Sequence, residues 1–595
     1  MTSEPLRIPR RRKAPARVPA PGATSRTDPR SATLAVAVAV TSAFLAIHAQ
    51  IWLFPDSFFS VLHADEIRDV VLPRDLLRAG HWPVLSLPPG HIDGGGIVLG
   101  YLLAALPVDS PHGIVVAARV LAVLQAGAAL MLWTRCWMRA FGARAGALAA
   151  VLMLFPQKGW ITNTVQAFGT YGPGSLAAVG AVTVGMLRDA GPSSSRSQAL
   201  LGAALGLLAL VAPAAAPTVA AVLLVSVYEI ERHHGASRAA VALARLTLGG
   251  ATACAVLLML DAWSAEVNPL AQLVGFVSRA PAADGSSHLA VRIGTGFANL
   301  FSPERVWLMP WPLFYGLLGL AAVGSVLGIR EAEGRDTAQA SPAIALTARR
   351  RLALVCATAA VVTLGVHLVT RFAESATWNV TPILPHLVGL AAIALARGTT
   401  SGWITRLPAV AYLAAWIASG FLAYEERFVV READLRYPGV AVMRSVAPLL
   451  ESRGVSRIAS TYHWALPLDL ALRADRHAAW RVCCTPRSNC PVECESGFFA
   501  DDPEVFVFPG PAAHLHGEPE TATLAPRLLV AAYERGIPLK TEALSRDGTW
   551  RTLELTGEGL PLLAPNDVVL LATAPPHARA LEAVLLTSPP HVDPS

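Results

Sequence analysis

The sequence has little charge and almost no lysine. Only 15% of its 595 residues are charged and 53% are hydrophobic, whereas soluble domains average about a quarter charged residues. Its 48 basic residues include three lysines, Lys13, Lys158 and Lys540. This composition excludes an ordinary soluble enzyme and indicates a chain that lies mostly in lipid.

Signatures of several other protein classes are missing as well. The sequence contains no GxxxxGK[ST] phosphate-binding loop and no HExxH helix, so no nucleotide cofactor is expected and an ATP-driven pump is disfavoured. The net charge of +6 equals the excess of basic over acidic residues within residues 1–30. Because the remainder is balanced, nucleic acid is not an expected partner.

Apolar blocks dominate the chain after a basic, proline-rich arm over residues 1–30. We predict that this arm is disordered and cytoplasmic, and that residues 31–424 form an all-α polytopic membrane domain with eleven transmembrane helices. Arginines cluster in alternate loops, on the side of the arm, as the positive-inside rule requires. A cleavable signal peptide is the alternative for the first block, which is longer than such segments usually are. The blocks lie near 31–55, 113–134, 144–157, 170–187, 199–212, 214–229, 240–261, 307–329, 352–370, 380–396 and 406–424.

This topology places three larger pieces on the outer face: the loop 56–112, the loop 262–306 and the tail 425–595. The tail reads as a small soluble α/β domain in the periplasm. Helices are predicted there near 437–454 and 467–474, and strands near 455–464, 504–510, 549–557 and 566–574. Its four cysteines, Cys483, Cys484, Cys490 and Cys494, are predicted to form structural disulfides, with a zinc site as the alternative.

The first outer loop carries the candidate chemistry. Asp65 and Glu66 begin a helix just after the first span, where a partly desolvated carboxylate can serve as a base. Helix capping is the alternative. Arg68, three residues on, can pair with Asp65 and lower its basicity. His91 and Asp93 precede three glycines, which indicates either a metal or sugar pocket or a polar turn. The short apolar stretch 94–106 is predicted to lie along the interface.

The order of these segments resembles the GT-C superfamily of membrane glycosyltransferases. It is similar in particular to the branch with bacterial protein mannosyltransferases and lipid A aminoarabinose transferases. The resemblance is carried, in order, by HADEIRD, LPPGHIDGGG, GYLLAALP and the span that begins AARVLAVL. It covers residues 33 to 190 well and the later spans by layout. Relatives have a tyrosine-rich stretch where this chain has HIDGGG, a departure that leaves the role of His91 and Asp93 open.

The resemblance implies inverting transfer of a sugar from a polyprenyl-phosphate donor to a glycan, lipid or protein acceptor at the outer face of a bacterial inner membrane. Asp65 matches the acidic position of the family and is the expected base, with Glu66 as a second catalytic or metal-linked carboxylate. Lys158 and Arg371 fall at outer ends of spans and are candidates for holding the lipid phosphate, with interfacial snorkelling as the alternative. Whether a divalent metal takes part is left open.

Two other functions fit parts of this pattern. A ligase or polymerase of surface polysaccharide uses the same lipids and is expected to need residues of the loop 262–306. A transporter or a non-catalytic membrane scaffold needs ionisable residues that face a midplane cavity, and the predicted spans carry few.

Overall fold

The computed structural model is mostly helical. It describes residues 29–52, 64–87, 91–92, 94–156, 167, 169, 172, 179–183, 185, 195–264, 294, 297–298, 301, 309–333, 342–369, 382–428, 452, 454, 456–460, 462–472, 481–484, 505–511, 534–537, 540–544, 550–553 and 568–573.

Helices occupy most of the predicted apolar blocks and part of the loop 56–112. They are α1 Pro29–Trp52, α2 Ala64–Glu66, α3 Leu72–Arg78, α4 Gly94–Ala104, α5 Pro111–Phe141, α6 Ala143–Leu154, α7 Ser195–Val211, α8 Ala216–His234, α9 Ala236–Ser264, α10 Trp311–Glu333, α11 Pro342–Val369, α12 Leu384–Gly398 and α13 Trp403–Phe428. A π-helical turn, Ile67–Val71, joins α2 to α3.

Four helices in the described part of the chain are long and apolar enough to cross a membrane. Their crossing segments are Pro111–Phe141, Ala236–Ser264, Trp311–Arg330 and Trp403–Ala423. Shorter apolar helices accompany them, including Thr33–His48 and Leu384–Gly398. The chain is therefore a membrane protein, and the number of eleven crossings remains a prediction. Of the predicted span 170–187, the structure describes only part.

The central core is built where α5, α6, α10, α11 and α12 meet. Close packing depends on small residues, since a Cβ at Gly324 of α10 would clash with the main-chain carbonyl of Leu390 in α12. Trp137 and Trp416 are the largest fully buried side chains of the described core. The Trp416 indole N–H donates to the Leu152 carbonyl at 2.9 Å, which ties α13 to α6.

A second tight pair, α7 with α9, stands beside this core. The two helices touch through glycine residues. A Cβ at Gly206 would lie 2.7 Å from the Gly250 carbonyl oxygen, and a Cβ at Gly202 would clash with the carbonyl oxygen of Leu246. Such backbone contact is typical of helix pairs that associate in lipid through small residues. Any larger side chain at these positions would force the pair apart.

The described part of the loop 56–112 packs against the membrane helices. Strands β1 Ser86–Leu87 and β2 His91–Ile92 form an antiparallel hairpin before α4. Helix α4 packs against α3, α5 and the π turn. The apolar stretch predicted at 94–106 is thus an eleven-residue helix.

The described tail residues form a six-stranded mixed sheet. Its strands are β3 Arg457–Ser460, β4 Arg481–Cys484, β5 Val505–Pro511, β6 Lys540–Leu544, β7 Trp550–Leu553 and β8 Val568–Thr573, in the order β4-β3-β5-β8-β6-β7. β3 is parallel to both its neighbours, and the other pairs are antiparallel. Helix α14, Tyr462–Leu472, follows β3, so the strand predicted over 455–464 was too long. Cys483 is disulfide-bonded, which confirms the predicted use of the tail cysteines at that residue.

Candidate active site

The acidic motif lies on α2 and the π turn, and its three carboxylates sit in unlike surroundings. The side chain of Asp65 is 32% exposed, whereas those of Glu66 and Asp69 are 7% and 1% exposed. A π turn shifts side chains relative to a regular helix, and such turns occur frequently at functional sites. Sequence periodicity gives no signal for one, and Asp69 was missing from the predicted site residues.

Glu66 is buried and held from two directions. Arg119, in the first half of α5, donates from Nε to Oε1 at 2.9 Å and from Nη2 to Oε2 at 2.6 Å. The main-chain N–H of Ala167 donates to Oε1 at 2.9 Å. A two-pronged guanidinium contact fixes direction as well as distance. Glu66 therefore joins the acidic motif to α5 and to residue 167.

Asp69 and Asp65 are joined through Arg68. The Arg68 Nε donates to Asp69 Oδ1 at 2.6 Å, and its Nη1 lies 3.3 Å from Asp65 Oδ1. The pairing of Arg68 with Asp65 that the sequence suggested is thus confirmed. Asp69 Oδ2 lies 3.4 Å from the main-chain nitrogen of Gly169, a second link to the segment around residue 168.

Two guanidiniums pair with the acidic motif: Arg68 contacts Asp65 and Asp69, and Arg119 contacts Glu66. Glu66 and Asp69 are buried against their partners, whereas the side chain of Asp65 is 32% exposed. The arrangement can therefore accept a proton at Asp65 while the other two carboxylates hold the backbone around it.

The remaining predicted site residues are only partly described. His91 lies in β2, where its backbone pairs with Leu87. Lys158, Arg371 and Asp93 lie outside the described residues. The structure thus describes Asp65, Glu66 and His91 among the six predicted site residues. Among the described residues, no group of three or more His, Cys, Asp or Glu side chains is arranged to hold a metal ion.

A second set of charges braces the loop beneath the motif. Arg74 Nη2 lies 3.1 Å from Asp109 Oδ1, and Arg78 pairs with the same carboxylate. The hydrogen bond and charge of Arg78 lower the pKa of Asp109 from its usual 3.8. In α4, partial burial raises the pKa of Tyr101, whose hydroxyl donates to the Pro83 carbonyl at 3.0 Å.

The tail reaches the acidic motif. Helix α14 packs against α2 and against the π turn, and also against β3, β4 and β5 of the tail sheet. Ala465, Leu468 and Leu470 of α14 are buried. Helix α14 of the tail therefore lies beside the segment that carries Asp65.

Solved structures with a similar fold are membrane glycosyltransferases. Apo ArnT from Cupriavidus metallidurans matches with a TM-score of 0.52 and 15% identity over 89% of this chain and 97% of that one. The same protein bound to undecaprenyl phosphate gives 0.50 and 14% over the same shares. The Archaeoglobus fulgidus oligosaccharyltransferase tethered to an acceptor peptide gives 0.50 and 12%, over 91% of this chain and 76% of that one.

Sequence comparison alone finds less. No protein-family model matches the chain, and no curated protein does. At these identities the structural likeness concerns the fold, and it agrees with the family that the segment order of the sequence resembles. The chain has the fold of the GT-C membrane glycosyltransferases.

Proposed function

We propose that the protein is an inverting glycosyltransferase that moves a sugar from a polyprenyl-phosphate donor to an acceptor at the periplasmic face of a bacterial inner membrane. The acceptor hydroxyl oxygen attacks the anomeric carbon while the bond from that carbon to the lipid phosphate breaks. The lipid phosphate leaves with the bonding electron pair, and the hydroxyl proton passes to the base. A single displacement inverts the anomeric carbon without a covalent sugar–enzyme intermediate.

Asp65 is the proposed base. The observation that carries this assignment is the contrast in exposure between Asp65, 32% exposed, and its buried neighbours Glu66 and Asp69 at 7% and 1%. Arg68 orients the Asp65 carboxylate at 3.3 Å. We assign Glu66 a positioning role, because Arg119 and the Ala167 N–H already engage both of its oxygens.

The lipid phosphate needs positive charge where it departs. We retain Lys158 and Arg371 as candidates, and His91 and Asp93 as candidates for sugar contacts. The links from Glu66 to Ala167 and from Asp69 to Gly169 support a place for Lys158 in this scheme. They tie Ala167 and Gly169, which follow Lys158 in the sequence, to the acidic motif. The fold shared with ArnT, which is solved with undecaprenyl phosphate bound, supports the donor class.

The test compares Asp65→Asn with the matched control Asp75→Asn. Asp75 lies in the same loop, is 25% exposed and pairs with an arginine, Arg74, at 2.7 Å. Removing a general base is expected to lower sugar transfer by about 10²- to 10⁴-fold. Mass spectrometry of envelope glycans and glycoproteins from cells with each variant reads the product. The expected result is loss of one sugar modification with Asp65→Asn and its retention with Asp75→Asn.

Equal amounts of both variants in the membrane fraction make the comparison valid. Unchanged product with Asp65→Asn would remove Asp65 from the reaction. If variants in the loop 262–306 abolish the product while Asp65→Asn leaves it intact, a polysaccharide ligase or polymerase becomes the better description. Binding of a polyprenyl-phosphate sugar with no product in any strain would indicate a transporter or scaffold.

A further inference from the structure

A buried carboxylate far along the chain holds the first outer loop. Asp261 lies in the last turn of α9 and is completely buried. Its Oδ1 accepts from the main-chain N–H groups of Leu85 at 2.7 Å and Ser86 at 2.9 Å. Its Oδ2 accepts from the Ser86 hydroxyl. One side chain therefore binds the first residue of β1 and the residue before it.

This is an unfavourable place for an acidic residue unless it has partners. The C-terminal end of a helix carries the negative end of the helix dipole. Asp261 also lies in a candidate membrane span, Ala236–Ser264, where a carboxylate is expensive to bury. Three donors from residues 85 and 86 offset both effects. The hydrogen bonds from residues 85 and 86 therefore explain why a carboxylate occupies this position.

The same helix pair touches the far side of the hairpin. Gly94, at the start of α4, packs against Val211 at the end of α7, and a Cβ at Gly94 would lie 2.8 Å from the Val211 Cα. Helices α7 and α9 are joined by backbone contact through their glycines. The segment from residue 85 to residue 94 is thus fixed at both ends by one rigid unit.

Helix α4 carries this constraint to the acidic motif. Gly100 lets α4 approach the π turn and α3, since a Cβ there would lie 3.0 Å from the Val70 carbonyl oxygen and 2.6 Å from the Pro73 Cβ. A continuous chain of contacts therefore runs from Asp261 through the hairpin and α4 to the turn that follows Asp65 and Glu66.

We propose that Asp261 is a positioning residue of the active site. It sets the place of β1, and through strand pairing that of His91 in β2, relative to Asp65. Helix α9 leads directly into the predicted outer loop 262–306, so Asp261 also connects the two outer loops. The effect on sugar transfer rests on the proposed function, whereas the hold on the hairpin does not.

Three substitutions remove different parts of the contact of Asp261 with Leu85 and Ser86. Asp261→Asn keeps an oxygen that can accept from both N–H groups, while Asp261→Leu has a similar shape and no acceptor. Ser86→Ala removes the hydroxyl donor alone. Ser264→Ala is the control, because Ser264 donates at 3.2 Å to the main-chain carbonyl of Asp261 and the change leaves the carboxylate in place.

The first measurement is hydrogen exchange of the amides of residues 85–87 and 90–92 in the purified full-length protein in lipid nanodiscs. We expect Asp261→Leu to speed exchange at Leu85 and Ser86 by about tenfold or more, and Asp261→Asn to stay within about threefold of wild type. Unchanged exchange in Asp261→Leu would overturn the proposal whether or not the protein is a transferase. If Asp261→Leu does not insert, the decision passes to Ser86→Ala, which is expected to raise exchange at Leu85 and Ser86 by about fivefold over the control Ser264→Ala, and equal exchange in these two variants would overturn the proposal.

The second measurement is sugar transfer by the same proteins. A displaced hairpin is expected to lower kcat by about 10- to 100-fold in Asp261→Leu with a smaller change in KM for the donor, since misplacement acts on the reacting geometry. Asp261→Asn should restore most of kcat. Faster exchange without any loss of kcat would show that the hairpin is not needed for the reaction and would overturn the positioning role. If wild type transfers no sugar, the proposed function fails and exchange alone decides the hold of Asp261 on the hairpin.

Discussion

Two glutamate–arginine ion pairs are buried in the helical bundle, one toward each end, and their geometries differ. Near the outer loop, Glu66 receives two guanidinium hydrogen bonds of 2.6 and 2.9 Å from Arg119. Glu229 lies near the end of α8, far from the end of α9 that contacts β1. There the Nη2 of Arg351 comes no closer to its Oε2 than 3.6 Å. All four side chains are at most 7% exposed.

The contrast separates two uses of a buried ion pair. A two-pronged pair with an added backbone N–H fixes orientation, and at Glu66 it fixes the helix α2 that carries Asp65. A pair at 3.6 Å, beyond hydrogen-bond distance, balances charge and constrains orientation less. The Glu66–Arg119 pair is therefore expected to affect both stability and sugar transfer, and the Glu229–Arg351 pair is expected to affect stability alone.

The largest effect on stability is expected from Arg119→Met. This change leaves the Glu66 carboxylate buried without its guanidinium, which lowers the free energy of unfolding by about 3 to 5 kcal/mol. Thermal unfolding in nanodiscs measures it. Arg135→Met, an exposed position in the same helix, is the control and should change stability by less than about 0.5 kcal/mol. If Arg119→Met lowers the free energy of unfolding by less than about 1 kcal/mol, the Glu66–Arg119 pair is no stronger than the Glu229–Arg351 pair.

The next largest effect compares Glu66→Gln with Glu229→Gln. Charged hydrogen bonds contribute about 1.5 to 3 kcal/mol each, so Glu66→Gln should cost about 2 to 3 kcal/mol and Glu229→Gln about 1 kcal/mol. The same unfolding assay on both variants decides the order. Equal losses of stability, or a larger loss with Glu229→Gln, would contradict the difference between the two ion pairs.

A smaller net change in stability is expected when Glu66 and Arg119 are both replaced by apolar residues. Replacing a buried pair by packed hydrophobic side chains is often neutral, so Glu66→Leu with Arg119→Met should regain stability to within about 1 kcal/mol of wild type. Sugar transfer should remain lost, because the N–H of Ala167 no longer has its carboxylate. Recovery of transfer together with stability would show that the pair does not orient Asp65.

The smallest effect is expected from Asp109→Asn, at an exposed ion cluster. Arg78 lowers the pKa of Asp109 below 3.8, so the pair stabilises the fold above that pH and the contribution is lost as pH falls through the lowered pKa. The melting temperature of the variant should lie slightly below that of wild type at pH 7, and the two should converge in acid. A difference that persists at pH 2 would assign the effect to packing.

Much of the fold is predictable from the sequence because the apolar blocks are long and the acidic motif follows the first of them. Helix α4 is an example, since its stretch of 13 residues is too short to cross a membrane. The tail is harder. The predicted strand 455–464 included Tyr462 and Trp464, yet α14 begins at Tyr462 and keeps Pro467 inside it. Packing against α2 and β3 outweighs the local preference.

The site is less predictable than the fold. Asp65 and Glu66 are recognisable by their place in the chain, but the partners that separate their roles are distant in sequence. Arg119 lies 53 residues from Glu66, and Asp261 lies 175 residues from Ser86. Apolar periodicity says which helices exist and little about which of their faces meet, so these contacts appear only once the helices are packed.

The division of labour between Asp65 and Glu66 can be tested by chemical rescue with a small carboxylate. Formate can occupy the space left by Asp65→Ala and accept the proton in its place, whereas it cannot restore the two-pronged orientation that Glu66 provides. We predict that added formate raises the transfer rate of Asp65→Ala by about tenfold or more and leaves that of Glu66→Ala unchanged. Rescue of Glu66→Ala without rescue of Asp65→Ala would contradict the account.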